Sequence, residues 1–231
     1  MKAARGWLLD LGGDLVPFAE AWALQKGLVA ARQRGGIPDV LMLLEHPPVV
    51  TLGRSGRPEH LRVTREELRS GGIDLFRVER GGSATYHGPG QLVGYPIVDL
   101  RVMGGDVVRY MRTMEESLIQ TLGQFGIAAV RERGYPGVWF GGAKICSVGV
   151  AVKRGVTMHG FALNVANVLG GFALINPCGL DRPVTSMSAV LGRPVDITEV
   201  RQAYPEQFSR AFGIDLVPFP AADLEQARAL V

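Results

Sequence analysis

The sequence predicts an α+β domain built around a mixed β-sheet. Short apolar or alternating runs recur through the chain and read as strands. Segments of helical period at residues 17–34, 106–125 and 196–212 stand between and after them. No repeat, low-complexity tract or linker divides the 231 residues, so 1–231 reads as one domain with its own core.

Each element has a local reason. Residues 7–11 form a short apolar strand. Phe18, Trp22, Leu24 and Leu28 follow at helical spacing, with Pro17 near the first turn and Gly35-Gly36 at the end. Residues 40–44 and 49–52 are continuous apolar runs, the pattern of buried strands. Thr64 with Glu67 three residues on marks a capping box for a helix over 64–69, and 73–79 alternates as a strand. Residues 80–90 form a glycine-rich loop, because four glycines and a proline across 80–91 oppose both regular helix and regular strand; 92–98 is the strand after it. Asp106 caps a helix carrying Val107, Tyr110, Met111, Met114, Leu118, Leu122 and Phe125, which Gly126 stops. Residues 127–130, 137–140, 143–152 and 156–165 read as successive strands. A helix over 196–212, a strand over 214–217 and a helix over 221–230 complete the series.

Composition excludes several classes of function. Hydrophobic residues make up 47% and charged residues 20%, which is the balance of a folded globular chain. A net charge of +3 without a Lys/Arg run gives no nucleic-acid stripe. The first residues carry no secretory pattern, and the apolar runs are too short to span a bilayer. The two cysteines, Cys146 and Cys178, make no disulfide framework, so a reducing, cytoplasmic setting is expected.

Four segments carry candidate chemistry. The first is Arg80-Gly81-Gly82-Ser83-Ala84-Thr85-Tyr86-His87-Gly88-Pro89-Gly90-Gln91, whose glycines permit close approach of backbone to a ligand. It matches neither a phosphate-binding P-loop nor a dinucleotide fingerprint. A long hairpin connection is the plainer reading, against which its density of polar side chains weighs. The second is Gly141 to Gly149, where Lys144 begins an otherwise apolar strand. A strand lysine is commonly a solvated edge residue. Pointing inward, it would be desolvated toward the neutral amine and become a usable base. The third is Met158-His159-Gly160-Phe161-Ala162-Leu163-Asn164-Val165, and the fourth Ile175-Asn176-Pro177-Cys178-Gly179-Leu180. Cys146 fits a small buried hydrophobe, whereas Cys178 lies in a Pro-Cys-Gly turn where a thiol is accessible. The four histidines (His46, His60, His87, His159) and two cysteines show no metal-ligand spacing, and no Gly-x-Ser-x-Gly elbow supports a serine hydrolase.

Arg-Gly-Gly-x-x-Thr-Tyr-His-Gly-Pro-Gly-Gln, Gly-x-Lys-Ile, His-Gly-x-Ala-Leu-Asn and Asn-Pro-Cys-Gly, in that order, resemble the signature of the lipoyl(octanoyl) transferases, over about residues 45–180. The resemblance implies the fold of biotin and lipoate protein ligases, itself like the class II aminoacyl-tRNA synthetase catalytic domain. It implies transfer of octanoyl from acyl carrier protein to a lysine of lipoyl domains, in 2-oxoacid dehydrogenases and the glycine cleavage H protein. It makes Cys178 the acyl-thioester nucleophile and Lys144 the residue that lowers its pKa and shuttles protons. Arg80, Gly81, Gly82, Ser83, Ala84, Thr85, Tyr86, His87, Ser147, Val148, Gly149, Gly160, Phe161 and Ala162 would line the substrate site. His87 is left either touching substrate or pinning the loop. No cofactor, metal, nucleic acid or membrane enters, because the acyl group arrives already activated on phosphopantetheine. An ATP-dependent lipoate ligase, which would not need Cys178, a thioesterase and a non-catalytic carrier-protein binder stand as alternatives.

The chemistry is consistent with the residues. An ordinary thiol, with pKa about 8.5, is only a few per cent thiolate at neutral pH. A neighbouring ammonium favours the thiolate, and lowering its pKa by about two units would make most of it nucleophilic.

Overall fold

The computed structural model describes residues 4–176 and 182–220. The described chain opens with strand β1 (Ala4–Leu15), longer than the five-residue run at 7–11 that signals it, and helix α1 (Phe18–Gln33). Strands β2 (Asp39–Glu45) and β3 (Val49–Leu52) follow. In helix α2 (Arg65–Ser70) the Thr64 hydroxyl accepts from the Glu67 N–H while the Glu67 carboxylate accepts from Thr64, the reciprocal cap the sequence predicts. Strands β4 (Asp74–Arg77), β5 (Ala84–His87) and β6 (Gln91–Ile97) precede helix α3 (Val107–Gln124), capped by the Asp106 carboxylate accepting from the Arg109 N–H. Strands β7 (Val130–Glu132), β8 (Tyr135–Phe140), β9 (Ala143–Lys153) and β10 (Val156–Asn164) form a run of antiparallel neighbours. Helices α4 (Met187–Leu191) and α5 (Ile197–Phe212) and strand β11 (Ile214–Pro218) complete the described chain. The expected helix over 221–230 lies outside the described residues.

Two sheets result where one was expected. The larger has the order β11-β1-β2-β6-β10-β9-β8-β7, parallel at β11-β1-β2 and antiparallel beyond, so it is mixed as predicted. The smaller has the order β4-β3-β5, with β3 parallel to β4 and antiparallel to β5. Three local expectations are corrected. Ala84–His87, inside the glycine-rich stretch, is a strand, because Val49–Leu52 offers it a full antiparallel partner. The strand expected at 127–130 starts instead at Val130, since Ile127 and Ala129 are spent covering the α3 core. Helix α4 was not expected, although Ser186 caps it and Gly192 ends it in the left-handed region (φ 64°).

Strand alternation divides the core. From β2, Leu41 and Leu43 face α3 and α5 and pack with Tyr110, Met114, Leu118, Tyr204 and Phe208. Val40, Met42 and Leu44 face the other way, onto Leu24 and Leu28 of α1. The smaller sheet buries Val50, Leu52, Ala84 and Tyr86 with Leu68, Phe172 and Ile175. At the centre of the large sheet, glycine is required twice. A Cβ on Gly94 would lie 2.1 Å from the Phe161 ring, and one on Gly160 would lie 2.2 Å from the Gly94 carbonyl oxygen. This bare crossing of β6 and β10 keeps bulk away from the cavity above it.

Candidate active site

A cavity of about 570 Å³ opens between the glycine-rich stretch, strands β9 and β10, and the start of α3. Its lining includes Arg80 through Thr85, His87, Lys144, Ser147, Val148, Gly149, Gly160, Phe161 and Ala162. The structure therefore brings together, from three separate segments, the described residues named above as lining the substrate site, except Tyr86. Tyr86 turns from the cavity into the core of the smaller sheet, its ring 5.7 Å from that of Phe172. On β5 it alternates with Thr85 and His87, which keep the cavity side.

Arg80 organises the loop. Its guanidinium is buried and donates to the Thr51 carbonyl (2.8 Å) and hydroxyl (2.9 Å) and to the Gly81 carbonyl (3.0 Å). The backbone adds bonds from the Gly53 N–H to the Ser83 carbonyl, from Arg54 to Arg80, and from Gly81 to Val150 on β9. This last bond lays the loop across the large sheet beside Gly149, where a Cβ would stand 3.2 Å from the Gly81 oxygen. The fixed fork of an arginine suits several carbonyls at once.

Lys144 is not an edge residue. Strand β9 lies between β10 and β8, and Lys144 pairs across with Trp139. Its ammonium stands 4.8 Å from the Trp139 ring centroid and lines the cavity half-buried. Beside it, the Arg182 guanidinium covers Tyr135 at 4.3 Å and Trp139 at 5.1 Å, and is ion-paired to Glu132. Cys146, two residues along, is fully buried, and burial pushes its thiol well above the ordinary range, so it stays protonated. Cys178 lies outside the described residues. The chain on its two sides is anchored. Before it, the Asn176 N–H donates to the His60 carbonyl at 2.8 Å. After it, the Lys144 N–H donates to the Pro183 carbonyl and the Thr185 N–H to the Lys144 carbonyl, both at 2.9 Å.

Tyr95 and His159, which the sequence did not place at the site, share the cavity wall with His87. His46 packs behind them. Its Nδ1 donates to the Val16 carbonyl at 2.6 Å, so its Nε2 accepts from the Tyr95 hydroxyl at 2.7 Å. Burial drives the His46 pKa down to about 4 and holds those of His87 and His159 below the usual histidine value. His46 and His87 are neutral at pH 7, and burial favours the neutral form of His159 as well. His159, at φ 57°, is held in the left-handed region by the Gln25 side-chain oxygen accepting from its N–H at 2.7 Å. Its Nε2 lies 3.3 Å from the Glu79 carboxylate. Phe18, Met111, Val148, Phe161 and Phe172 give the cavity an apolar wall. The contributions of Phe18 and Met111 could not be read from spacing, since each also fits its helix's core pattern. Among the described residues no three His, Cys, Asp or Glu side chains converge as a metal-ligand set, and no helix is long and apolar enough to cross a membrane.

The mixed sheet and the mostly apolar cavity it frames have the form of a small-ligand catalytic domain. The lipoyl protein ligase A/B catalytic domain matches residues 17–209, and the chain belongs to that family. An octanoyltransferase from Geobacter metallireducens is 50% identical over 200 residues, covering 86% of this chain and 90% of that protein. One from Gloeobacter violaceus is 49% identical over 214 residues, covering 92% and 94%. A crystal structure of lipoate-protein ligase A bound with ATP is similar throughout this chain and over 94% of its own, with a TM-score of 0.77 at 24% identity. At that identity the likeness is one of fold.

Proposed function

We propose that this protein transfers an octanoyl group to the target lysine of lipoyl domains, through an acyl-thioester on Cys178 with Lys144 as proton partner. One observation carries the reading. A lysine on an interior strand opens into a mostly apolar cavity, in a chain half identical to octanoyltransferases. Such a cavity has the size and polarity of a small-ligand site.

The donor is octanoyl-acyl carrier protein. The Cys178 thiolate attacks the donor's thioester carbon, a tetrahedral oxyanion forms, and the pantetheine sulfur leaves with a proton from Lys144. The acceptor lysine then attacks the Cys178 thioester. Its nitrogen loses a proton to Lys144, the amide forms and the Cys178 thiolate is regenerated. One thioester replaces another in the first step, and amide formation drives the second. The acyl group arrives activated, so no nucleotide or other cofactor takes part. Each methylene buried along Phe18, Met111 and Phe161 contributes about 0.8 kcal/mol, which lets cavity depth select chain length.

Intact-protein mass spectrometry after mixing with octanoyl-acyl carrier protein, without nucleotide, tests the scheme. The expected product is a single octanoyl adduct mapping to Cys178 and released by hydroxylamine. Absence of an adduct, with octanoate activated once ATP is added, would replace this reading with the ligase one.

A further inference from the structure

Three buried amide side chains outside the proposed chemistry form a line across the sheet. Gln91 and Asn164, opposite each other on β6 and β10, are 1% and 3% exposed, and Asn167 is 6% exposed. Gln91 Nε2 donates to the Tyr86 carbonyl (3.2 Å) and to Asn164 Oδ1 (3.0 Å). Asn164 Oδ1 also accepts from Asn167 Nδ2 at 3.1 Å, and Asn164 Nδ2 donates to the Thr185 carbonyl at 2.9 Å. These partners fix both amide orientations. Turning Asn164 over would set its oxygen against a carbonyl and its NH₂ against two other NH₂ groups. At the far end, Gln91 Oε1 can only accept, so His87 Nδ1, 2.8 Å away, carries the proton and His87 Nε2 keeps its lone pair.

The other end of the line reaches the proton partner's backbone. Thr185, whose carbonyl Asn164 holds, donates its N–H to the Lys144 carbonyl, and Pro183 accepts from the Lys144 N–H. Residues 183–185 thus form a short strap, bridged in parallel to β9 at Lys144 and Val184. A second bond, from the Ser188 N–H in α4 to the carbonyl of Val165, the residue after β10, holds the chain that follows the strap.

We propose that Asn164 is a positioning residue. By holding the Thr185 carbonyl it keeps the 183–185 strap on Lys144, and so sets the chain that follows Cys178 against the lysine that serves it. The proposal rests on the Cys178–Lys144 reading. A buried amide whose oxygen accepts twice while its nitrogen donates to the Thr185 carbonyl gives such a strap one geometry. An error of about 1 Å in a reacting pair can cost on the order of a hundredfold in rate.

The test is the pH dependence of iodoacetamide alkylation at Cys178, read by mass spectrometry, with transfer kinetics on the same proteins. Wild type is expected to show thiolate formation well below the ordinary value of about 8.5. Asn164→Ala is expected to move that midpoint up toward 8.5 and to lower kcat on the order of tenfold or more with little change in KM. Val200→Ala, a core truncation on α5, lowers the melting temperature and should leave the midpoint alone. An Asn164→Ala protein that melts earlier yet keeps the wild-type midpoint and kcat overturns the proposal and leaves the proposed function standing. A wild-type midpoint near 8.5 overturns the thiolate–lysine reading itself. Should Asn164→Ala fail to fold, amide exchange in wild type decides: the Thr185 N–H must exchange as slowly as those inside β9, and exposed-loop exchange there removes the strap.

Discussion

Lowering the pH from 7 to 5 should destabilise this protein through its histidines before its carboxylates respond. His46 is fully buried, its pKa is driven down to about 4, and both ring nitrogens are committed, to the Val16 carbonyl and the Tyr95 hydroxyl. In the unfolded chain its pKa returns to about 6.5. Between these values the unfolded state binds a proton that the folded state refuses, so stability falls as pH falls. The loss begins near pH 6.5, runs to about pH 4 and then levels off. At about 1.4 kcal/mol per unit, the gap of some 2.5 units is worth about 3 kcal/mol, a large share of a typical ~5–15 kcal/mol. His87 and His159 are shifted the same way by burial and add to the slope. The Asp99 carboxyl, held low by the hydrogen bonds from Arg101, weakens the fold only below the ordinary carboxylate range, a separate and more acidic window. Urea midpoints at pH 7, 6 and 5 should therefore decline, and the His46 ring protons should not titrate above about pH 5 by NMR. A flat urea midpoint over that range, or a His46 titration near pH 6.5, would refute the argument.

Four further outcomes follow from named contacts. Cys178→Ser and Lys144→Ala should each abolish octanoylation of a lipoyl domain measured by mass shift, while Cys146→Ser keeps turnover, because the Cys146 thiol is buried beneath β9 and outside the cavity lining. For the same reason native Cys146 should resist iodoacetamide and become labelled only in urea; labelling in the native enzyme would contradict its burial. Arg80→Lys should raise KM for the octanoyl donor by about tenfold, since one ammonium cannot span the Thr51 and Gly81 oxygens that the guanidinium bridges; an unchanged KM counts against that role. Gly160→Ala places a methyl 2.2 Å from the Gly94 oxygen and should lower the melting temperature by about 5 °C or more, at roughly 2–4 °C per kcal/mol; an unchanged melt would mean the strands separate freely there.

The sequence makes the large sheet's inner strands plain, because each is a run whose two faces both meet a core. Residues 40–44 show it, being buried against helices on both sides. It hides the division into two sheets. Val49–Leu52 reads the same whichever strand it pairs with, and its partners lie more than twenty residues further on. Glycine content conceals the strand Ala84–His87, whose four buried residues alternate correctly once Val49–Leu52 is known to lie beside them. At the site, the segments carrying Arg80, Lys144 and Gly160 announce themselves by unusual residues in short spans. Phe18, Tyr95 and Met111 do not, because ordinary core residues reach the cavity wall through the crossing of distant elements. Asn164 and Thr185 are likewise ordinary until the strap brings a side-chain amide to a backbone carbonyl twenty-one residues away.

One strand has consequences for how the molecule is made. β1 lies between β2 and β11, and its pairing with β11 joins residues 4–8 to residues 214–218. The active-site strands β8, β9 and β10 are joined by short turns and can pair as they leave the ribosome. The edge beyond β2 waits for nearly the whole chain, so a growing polypeptide presents β1 with one flank bare. Closing so long a loop slows assembly, and interrupted synthesis leaves an open strand edge able to capture other chains.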